Sequence, residues 1–310
     1  MTIPGLVLAR ESAAQDGGRH AAVVLQMPAS ARASALGGAY AAVGGDDASI
    51  FYDPAQHATV RRGVGLSVER YFASSTLAAF SAATRTGPGQ GTLAVGVQSV
   101  RYESVTETVG AVETGRLLTA GDEVLSAGYG IELATRWLPG ATAVRLGAAA
   151  KWVRQRVADE SGDATAGDVG LAVALRGGAT VAAVAQHLGG TLTLAERSHP
   201  LPRRLAVAAA WPVALSPRLA LLATGELATV RDEGARVAAG AEARWRSRGA
   251  PATALTLDAR LGFRQRTHGA AASPVTVGGG VGARGLVLDY AYQGYAGLGA
   301  THRLGVRWAR

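Results

Sequence analysis

The chain contains no cysteine. That excludes a disulfide framework, a thiol nucleophile and any thiolate metal site, and it suits a protein that crosses an oxidising periplasm. There is one lysine, Lys151; the other basic side chains are arginines. Aromatic residues are 5% and charged residues 17%, against 48% hydrophobic. This is too apolar a chain to remain disordered. No uninterrupted apolar run reaches 18 residues, so no helical membrane span is legible. A transmembrane β-barrel escapes that test, because polar and apolar residues alternate along each of its strands. The formal charge of +8 is spread along the chain without a basic cluster, which argues against nucleic acid as a partner. The six histidines (20, 57, 187, 199, 268 and 302) lack metal-ligand spacing, and no serine sits in a G-x-S-x-G elbow. The expectation is a protein with no catalytic residues, no metal and no cofactor.

What is abundant is glycine, 42 of 310 residues, and strict alternation. In 255–264, Leu255, Leu257, Ala259, Leu261 and Phe263 oppose Thr256, Asp258, Arg260, Gly262 and Arg264. In 234–246, Val237, Ala239, Ala241, Ala243 and Trp245 oppose Arg236, Gly240, Glu242, Arg244 and Arg246. A face filled with charge calls for water, and the many segments of about ten residues match strands tilted across a bilayer. Alternation predicts fourteen strands, at 64–72, 75–84, 91–101, 122–134, 142–154, 164–176, 179–188, 203–213, 218–230, 234–246, 252–264, 274–284, 286–294 and 300–309. Turns fall at Gly87-Pro-Gly, Leu138-Pro-Gly, Arg176-Gly-Gly, Ser216-Pro and Arg284-Gly. Loops are predicted at 102–121, partly helical and lid-like, and at 155–163 and 189–202. Trp137, Trp152, Trp211, Trp245 and Trp308 lie near strand ends, as an interfacial girdle places them. Gly280-Val-Gly282-Ala-Arg-Gly285 fits the dinucleotide pattern, but a strand follows it where a helix is needed, so it reads as a hairpin with lumen-facing glycines.

Residues 30–58 match nothing else in the chain. Ser30 is placed as an N-cap, and Leu36, Tyr40 and Val43 are spaced to share one helical face. Gly37-Gly38 disfavours such a helix and implies close approach to another backbone. Asp46-Asp47 after two glycines reads as a cap rather than as an acid–base pair or cation site. Asp53-Pro54 is an N-cap followed by proline at the first helical position. The segment is expected to be a helical plug.

The run from Ala31 to Val43, then Asp46-Asp-Ala-Ser49, then Phe51-Tyr-Asp-Pro-Ala55, closely resembles the N-terminal hatch of FadL-like outer-membrane proteins, and in particular the PorV/PorQ branch. Leu146–Lys151, Gly167–Gly170, Pro200–Pro202, Leu288–Tyr292 and Gly297–Gly305 follow in the family's order, so the resemblance covers about 28–310. Asp53 stands where the family usually has Asn, Gln56 where it has Gly, and the terminal aromatic, Trp308, comes two residues early. The expected fold is all-β, an antiparallel transmembrane β-barrel of about fourteen strands in the bacterial outer membrane, with a small helical hatch in the lumen. Its expected divisions are 1–27, a leader with the remnant of a signal peptide; 28–60, the hatch; and 61–310, the barrel. Gly37, Gly38, Tyr40, Asp46, Asp47, Asp53 and Pro54 are the hatch positions singled out. The resemblance implies outer-membrane lipid as surroundings. It also implies one of two roles: passage of hydrophobic small molecules, or service to secreted client proteins in type IX-like secretion. A structural or surface-attachment barrel with a closed lumen is the alternative.

Overall fold

The computed structural model describes residues 20–71, 74–87, 89–135, 138–249, 254–265 and 272–309. Eighteen strands are present among them: β1 Arg62–Arg70, β2 Thr76–Arg85, β3 Thr92–Arg101, β4 Val105–Val109, β5 Val112–Leu118, β6 Ala120–Ala134, β7 Ala141–Val157, β8 Glu160–Leu175, β9 Thr180–Gly189, β10 Thr191–Leu194, β11 Arg197–Pro200, β12 Arg204–Ala214, β13 Leu219–Val230, β14 Gly234–Arg246, β15 Thr256–Arg264, β16 Ala272–Ala283, β17 Leu286–Tyr295 and β18 Gly299–Ala309. Fourteen of them form a closed antiparallel barrel, sealed where β1 pairs with β18. The hairpins β4–β5 and β10–β11 stand apart as two small sheets.

All fourteen predicted strands are barrel strands. The three predicted loops are not loops. Residues 102–121 hold the β4–β5 hairpin and no helix; 155–163 is where β7 turns into β8; 189–202 holds β10–β11. Each is joined by a tight turn with left-handed residues: Gly110-Ala111 at φ 56° and 67°, Ala158 at 52°, Ala195-Glu196 at 46° and 66°. Such turns match the twist of a hairpin, but they are normally announced by Asn-Gly or Asp-Gly. Ala and Glu give no such signal.

Alternation sorts the two faces. Leu66, Phe80, Val95, Leu125, Leu171, Val207, Leu261 and Leu304 are exposed on the outside. Ser67, Glu69, Ser81, Gln98, Asp168, Glu226 and Arg260 are buried on the inside. Trp211, Trp245 and Trp308 point outward at the end of the barrel where β18 finishes, and Trp152 lies toward the other end of β7. Trp137 and His268 lie outside the described residues. No helix among the described residues is long and apolar enough to span a membrane, and the crossing falls to the strands. A closed barrel with an apolar exterior and aromatic belts is an outer-membrane barrel. The end with the barrel's termini and tight turns such as 284–285 faces the periplasm, and the hairpins β4–β5 and β10–β11 face the exterior.

The segment before β1 runs down the inside. The Ala21 amide donates to Pro200 O (3.3 Å) at the exterior end, and Val60 meets β1 at the periplasmic end. It carries α1 (Ala31–Ala35) and 3-10 turns at Val23–Gln26, Asp47–Phe51 and Pro54–Thr59. The expected helix through Leu36, Tyr40 and Val43 stops at Ala35. Gly37 and Gly38, at φ 68° and 82°, end it, and the Gly38 amide donates back to Ala33 O (2.9 Å). Leu36, Tyr40 and Val43 are nevertheless buried in one cluster. Residues 20–27, assigned from sequence to the leader, pack in the lumen through Ala21, Ala22 and Val24 against Leu77, Val100, Leu192 and Leu201.

Candidate functional site

The lumen is shaped to this segment by glycine. Inward-facing glycines from strand after strand meet it with no room for a side chain. A methyl group on Gly96 would stand 2.9 Å from Ile50 Cγ2, on Gly130 2.6 Å from Pro54 O, and on Gly240 2.7 Å from Leu36 O. On Gly147 it would collide with the Pro54 carbonyl, and on Gly170 with the Asp53 carboxylate. Gly37 is the reciprocal case: its own Cβ would lie 2.5 Å from Phe263 O, so Gly37 rests directly on a strand backbone. The excess of glycine in the sequence is in large part this socket.

A buried ionic network pins one side. Arg260, fully buried, donates to Glu242 (2.6 Å), Asp258 (2.7 Å) and Asp289 (2.6 Å). Arg244 joins Asp258 (2.7 Å) and Arg307 joins Asp289 (2.6 Å). From α1, Arg32 reaches Glu242 (2.8 Å) and Asp46 (3.3 Å). Four arginines thus face four carboxylates, and the assembly is neutral. The sequence had placed these charges on a face calling for water; they instead satisfy one another and the segment. Gly280 supplies their space, since a side chain there would meet Asp289 Oδ1 at 2.7 Å. The G-x-G-x-x-G pattern is thereby accounted for: β16 ends at Ala283 and a hairpin turn leads to β17.

The positions singled out from sequence fall as follows. Ser30 Oγ accepts from the Ala33 amide (3.3 Å). Asp46 Oδ1 accepts from the Ala48 amide (3.0 Å), and its Oδ2 from the Tyr40 hydroxyl (2.7 Å). Asp53 Oδ1 accepts from the Ala55 amide (2.9 Å), with Pro54 opening that turn. Asp47 accepts from Ser81 Oγ (2.5 Å). Burial pushes the Asp47 and Asp53 carboxyls up to about 7, Asp47 also through its neighbour Asp46. Burial likewise presses Asp46 upward, but Arg307 and Arg32 reverse it and keep it low. Burial drives His57, whose Nδ1 meets Ser49 Oγ at 2.7 Å, down to about 4.

A pH dependence follows. The two raised carboxyls stabilise the seated segment below their ordinary pKa, and that contribution is lost as pH rises through 7. His57 acts oppositely, its contribution being lost as pH falls toward 4, but two carboxyls outweigh one imidazole between these limits. Protection of the amides of residues 46–59, corrected for the intrinsic base-catalysed rise of exchange with pH, is therefore expected to be greater at about pH 5.5 than at about pH 8.5. Asp47→Asn with Asp53→Asn should flatten the difference; an unchanged pH profile in the double variant would refute the assignment.

Beside the segment, toward the exterior, lies a chamber with about 110 Å³ of free space. Met27, Phe51, Val124, Ala228 and Val237 give it apolar walls, and Lys151, Gln186, Arg204 and Glu226 its polar ones. It abuts an irregularity in the barrel wall. Between Gly167 and Val169 the β8–β9 register shifts, and Gln186 and His187, the latter at φ 56°, both turn inward. Asp168 ties this bulge together, accepting from the His187 amide (2.9 Å) and from Lys151 Nζ (2.7 Å). The β9–β12 ladder stops at Gln186. Lys151, Asp168 and His187 were not predicted to meet; a lone lysine on an inward strand position was the available signal. No metal-binding cluster occurs among the described residues.

Fold and lumen together define the class: a fourteen-stranded outer-membrane barrel whose N-terminal segment fills much of its interior. No family model matches the chain, and no curated protein matches its sequence. Solved structures do. The toluene transporter TbuX of Ralstonia pickettii superposes with a TM-score of 0.54 at 13% identity, over 89% of this chain and 97% of that one. A FadL homologue of Pseudomonas aeruginosa gives 0.54 at 11% identity, over 91% and 99%. The toluene transporter TodX of Pseudomonas putida gives 0.50 at 11%, over 86% and 95%. At these identities the likeness establishes a FadL-like barrel fold.

Proposed function

We propose that this protein passes small hydrophobic molecules across the outer membrane, and that residues 28–60 are the hatch deciding whether the lumen is open. The observation that carries the reading is the amphipathic chamber enclosed between that segment and the bulged wall at Gln186-His187. Gly37, Gly38, Tyr40, Asp46, Asp47, Asp53 and Pro54 are the positions that seat the hatch. The chamber's free space is about ten times what one water needs, a size for compact rather than long-chain solutes. Two of the similar structures are described as toluene transporters, which fits that size. In a porin-poor strain, uptake of labelled toluene should be several-fold faster with the protein than with empty vector; equal rates would overturn the proposal and favour a closed structural barrel.

A second reading, an accessory of protein secretion of the PorV/PorQ kind, rests on the motifs in 31–55 and on one feature of the exterior. The β4–β5 hairpin exposes Val105, Val109, Val112 and Leu117, apolar surface available to a client. Removing 103–118 separates the two readings, since toluene uptake should persist without the hairpin.

A further inference from the structure

The luminal segment is held unequally on its two sides. Toward β14–β18 and β1–β8 it is pinned by the ionic network and the glycine socket. Toward β9, β12 and β13 it meets a smooth wall of small side chains, Ala182, Val184, Ala206, Ala208 and Ala210, against which Tyr40, Ala41, Ala42 and Val43 pack. Few polar contacts hold it there. Thr224 Oγ1 donates to Ala39 O (2.9 Å), and Glu226 Oε2 accepts from the amides of Tyr40 (3.3 Å) and Ala41 (3.2 Å). The tie back to the pinned side is the Tyr40 hydroxyl, which donates to Asp46 (2.7 Å) and accepts from Arg32 Nη1 (3.4 Å). Glycine pairs bracket this stretch: Gly37-Gly38 before it, both left-handed, and Gly44-Gly45 after it, with Gly45 at φ 73°.

Below the stretch lies a second cavity, with about 250 Å³ of free space toward the periplasmic end. Ala42, Val43, Ala210, Pro212, Ala220 and Leu222 line it. The same three strands line both cavities. On β13, Glu226 and Ala228 border the upper chamber and Ala220 and Leu222 the lower, with Thr224 between them. On β12 the corresponding residues are Arg204 above and Ala210 below, and on β14 Ala238 above and Arg244 below.

We propose that Ala39–Val43 is a local gate between two solute chambers in series, swinging on its flanking glycines away from the alanine wall while the ionic network and glycine socket stay intact. The passage then runs through the lumen along β12–β14 to a periplasmic vestibule, without ejection of the whole segment. The latch is Thr224 with Glu226. This inference rests on the transport reading for its purpose, but its movement is measurable independently of transport.

The absence of native cysteine makes thiol reporters clean. Leu222→Cys is placed in the lower chamber, and a small, membrane-impermeant methanethiosulfonate is applied to intact cells of the porin-poor strain, so that it arrives from the exterior side. Labelling should be at least about tenfold faster when Thr224→Val and Glu226→Met are added, since three hydrogen bonds of the closed state are lost. Only the heat-modifiable, folded band is scored. In the otherwise unaltered barrel, Ala41→Cys and Ala208→Cys, which belong to the same buried cluster while Ala208 lines neither chamber, bridged by a short bismaleimide should abolish toluene uptake that the unbridged pair retains. Equal labelling rates with and without the latch, or full uptake in the bridged protein, would overturn the gate. Faster labelling in a barrel that takes up no toluene would sustain the gate and remove the transport reading instead.

Discussion

Replacing Arg260 by methionine is expected to destabilise the barrel more than any other single change in the lumen. Its guanidinium is fully buried and holds Glu242, Asp258 and Asp289 together. Methionine fills much of the volume but leaves three carboxylates facing one another in a site of low dielectric. Breaking a buried ion pair by removing one partner costs about 3–5 kcal/mol, because the surviving charge has lost its compensation. Here Arg32, Arg244 and Arg307 remain to share the load, which places the loss within that range rather than at three times it. The temperature at which the folded band disappears on a heat-modifiability gel should fall clearly. Adding Asp289→Asn, which restores three arginines to three carboxylates, should recover part of the loss. A lone methionine variant that melts with the native protein would show that the network contributes nothing net.

The second large effect concerns the socket. Gly147→Val forces a branched side chain into the Pro54 carbonyl, with strand backbone behind it and segment backbone before it. Neither can yield locally, so the turn at Pro54–Thr59 must lift. The expected result is a leaky barrel: sensitivity to a large polar antibiotic that native cells exclude, and larger conductance steps in planar bilayers. Gly225→Val is the control, because nothing lies within 4 Å of a side chain placed there. Conductance of Gly147→Val equal to that of the control would mean that the segment is not what closes the lumen.

The strands were legible because their physics is local. Two residues apart along a strand means one face, and Leu255 to Arg264 displays this without any knowledge of neighbours. The caps at Ser30, Asp46 and Asp53 were legible for the same reason, each acting within three residues. The site was not. Arg32 and Glu242 are 210 residues apart, and nothing in either neighbourhood names the other. The hairpin at Ala195-Glu196 was missed because its own tight turn takes left-handed backbone at residues that do not advertise it. The resemblance to FadL-like hatches located the segment; the reason for its glycines emerged only when the opposing strands were set around it.

The path of that segment has a consequence for assembly. It enters at the exterior end, where Ala21 meets Pro200, and leaves at the periplasmic end to become β1. β1 is also the strand that seals against β18. Closing that seam therefore encloses residues 20–61, the segment that runs directly into β1. The bore is thus cut to that segment, glycine by glycine, at Gly96, Gly147 and Gly240.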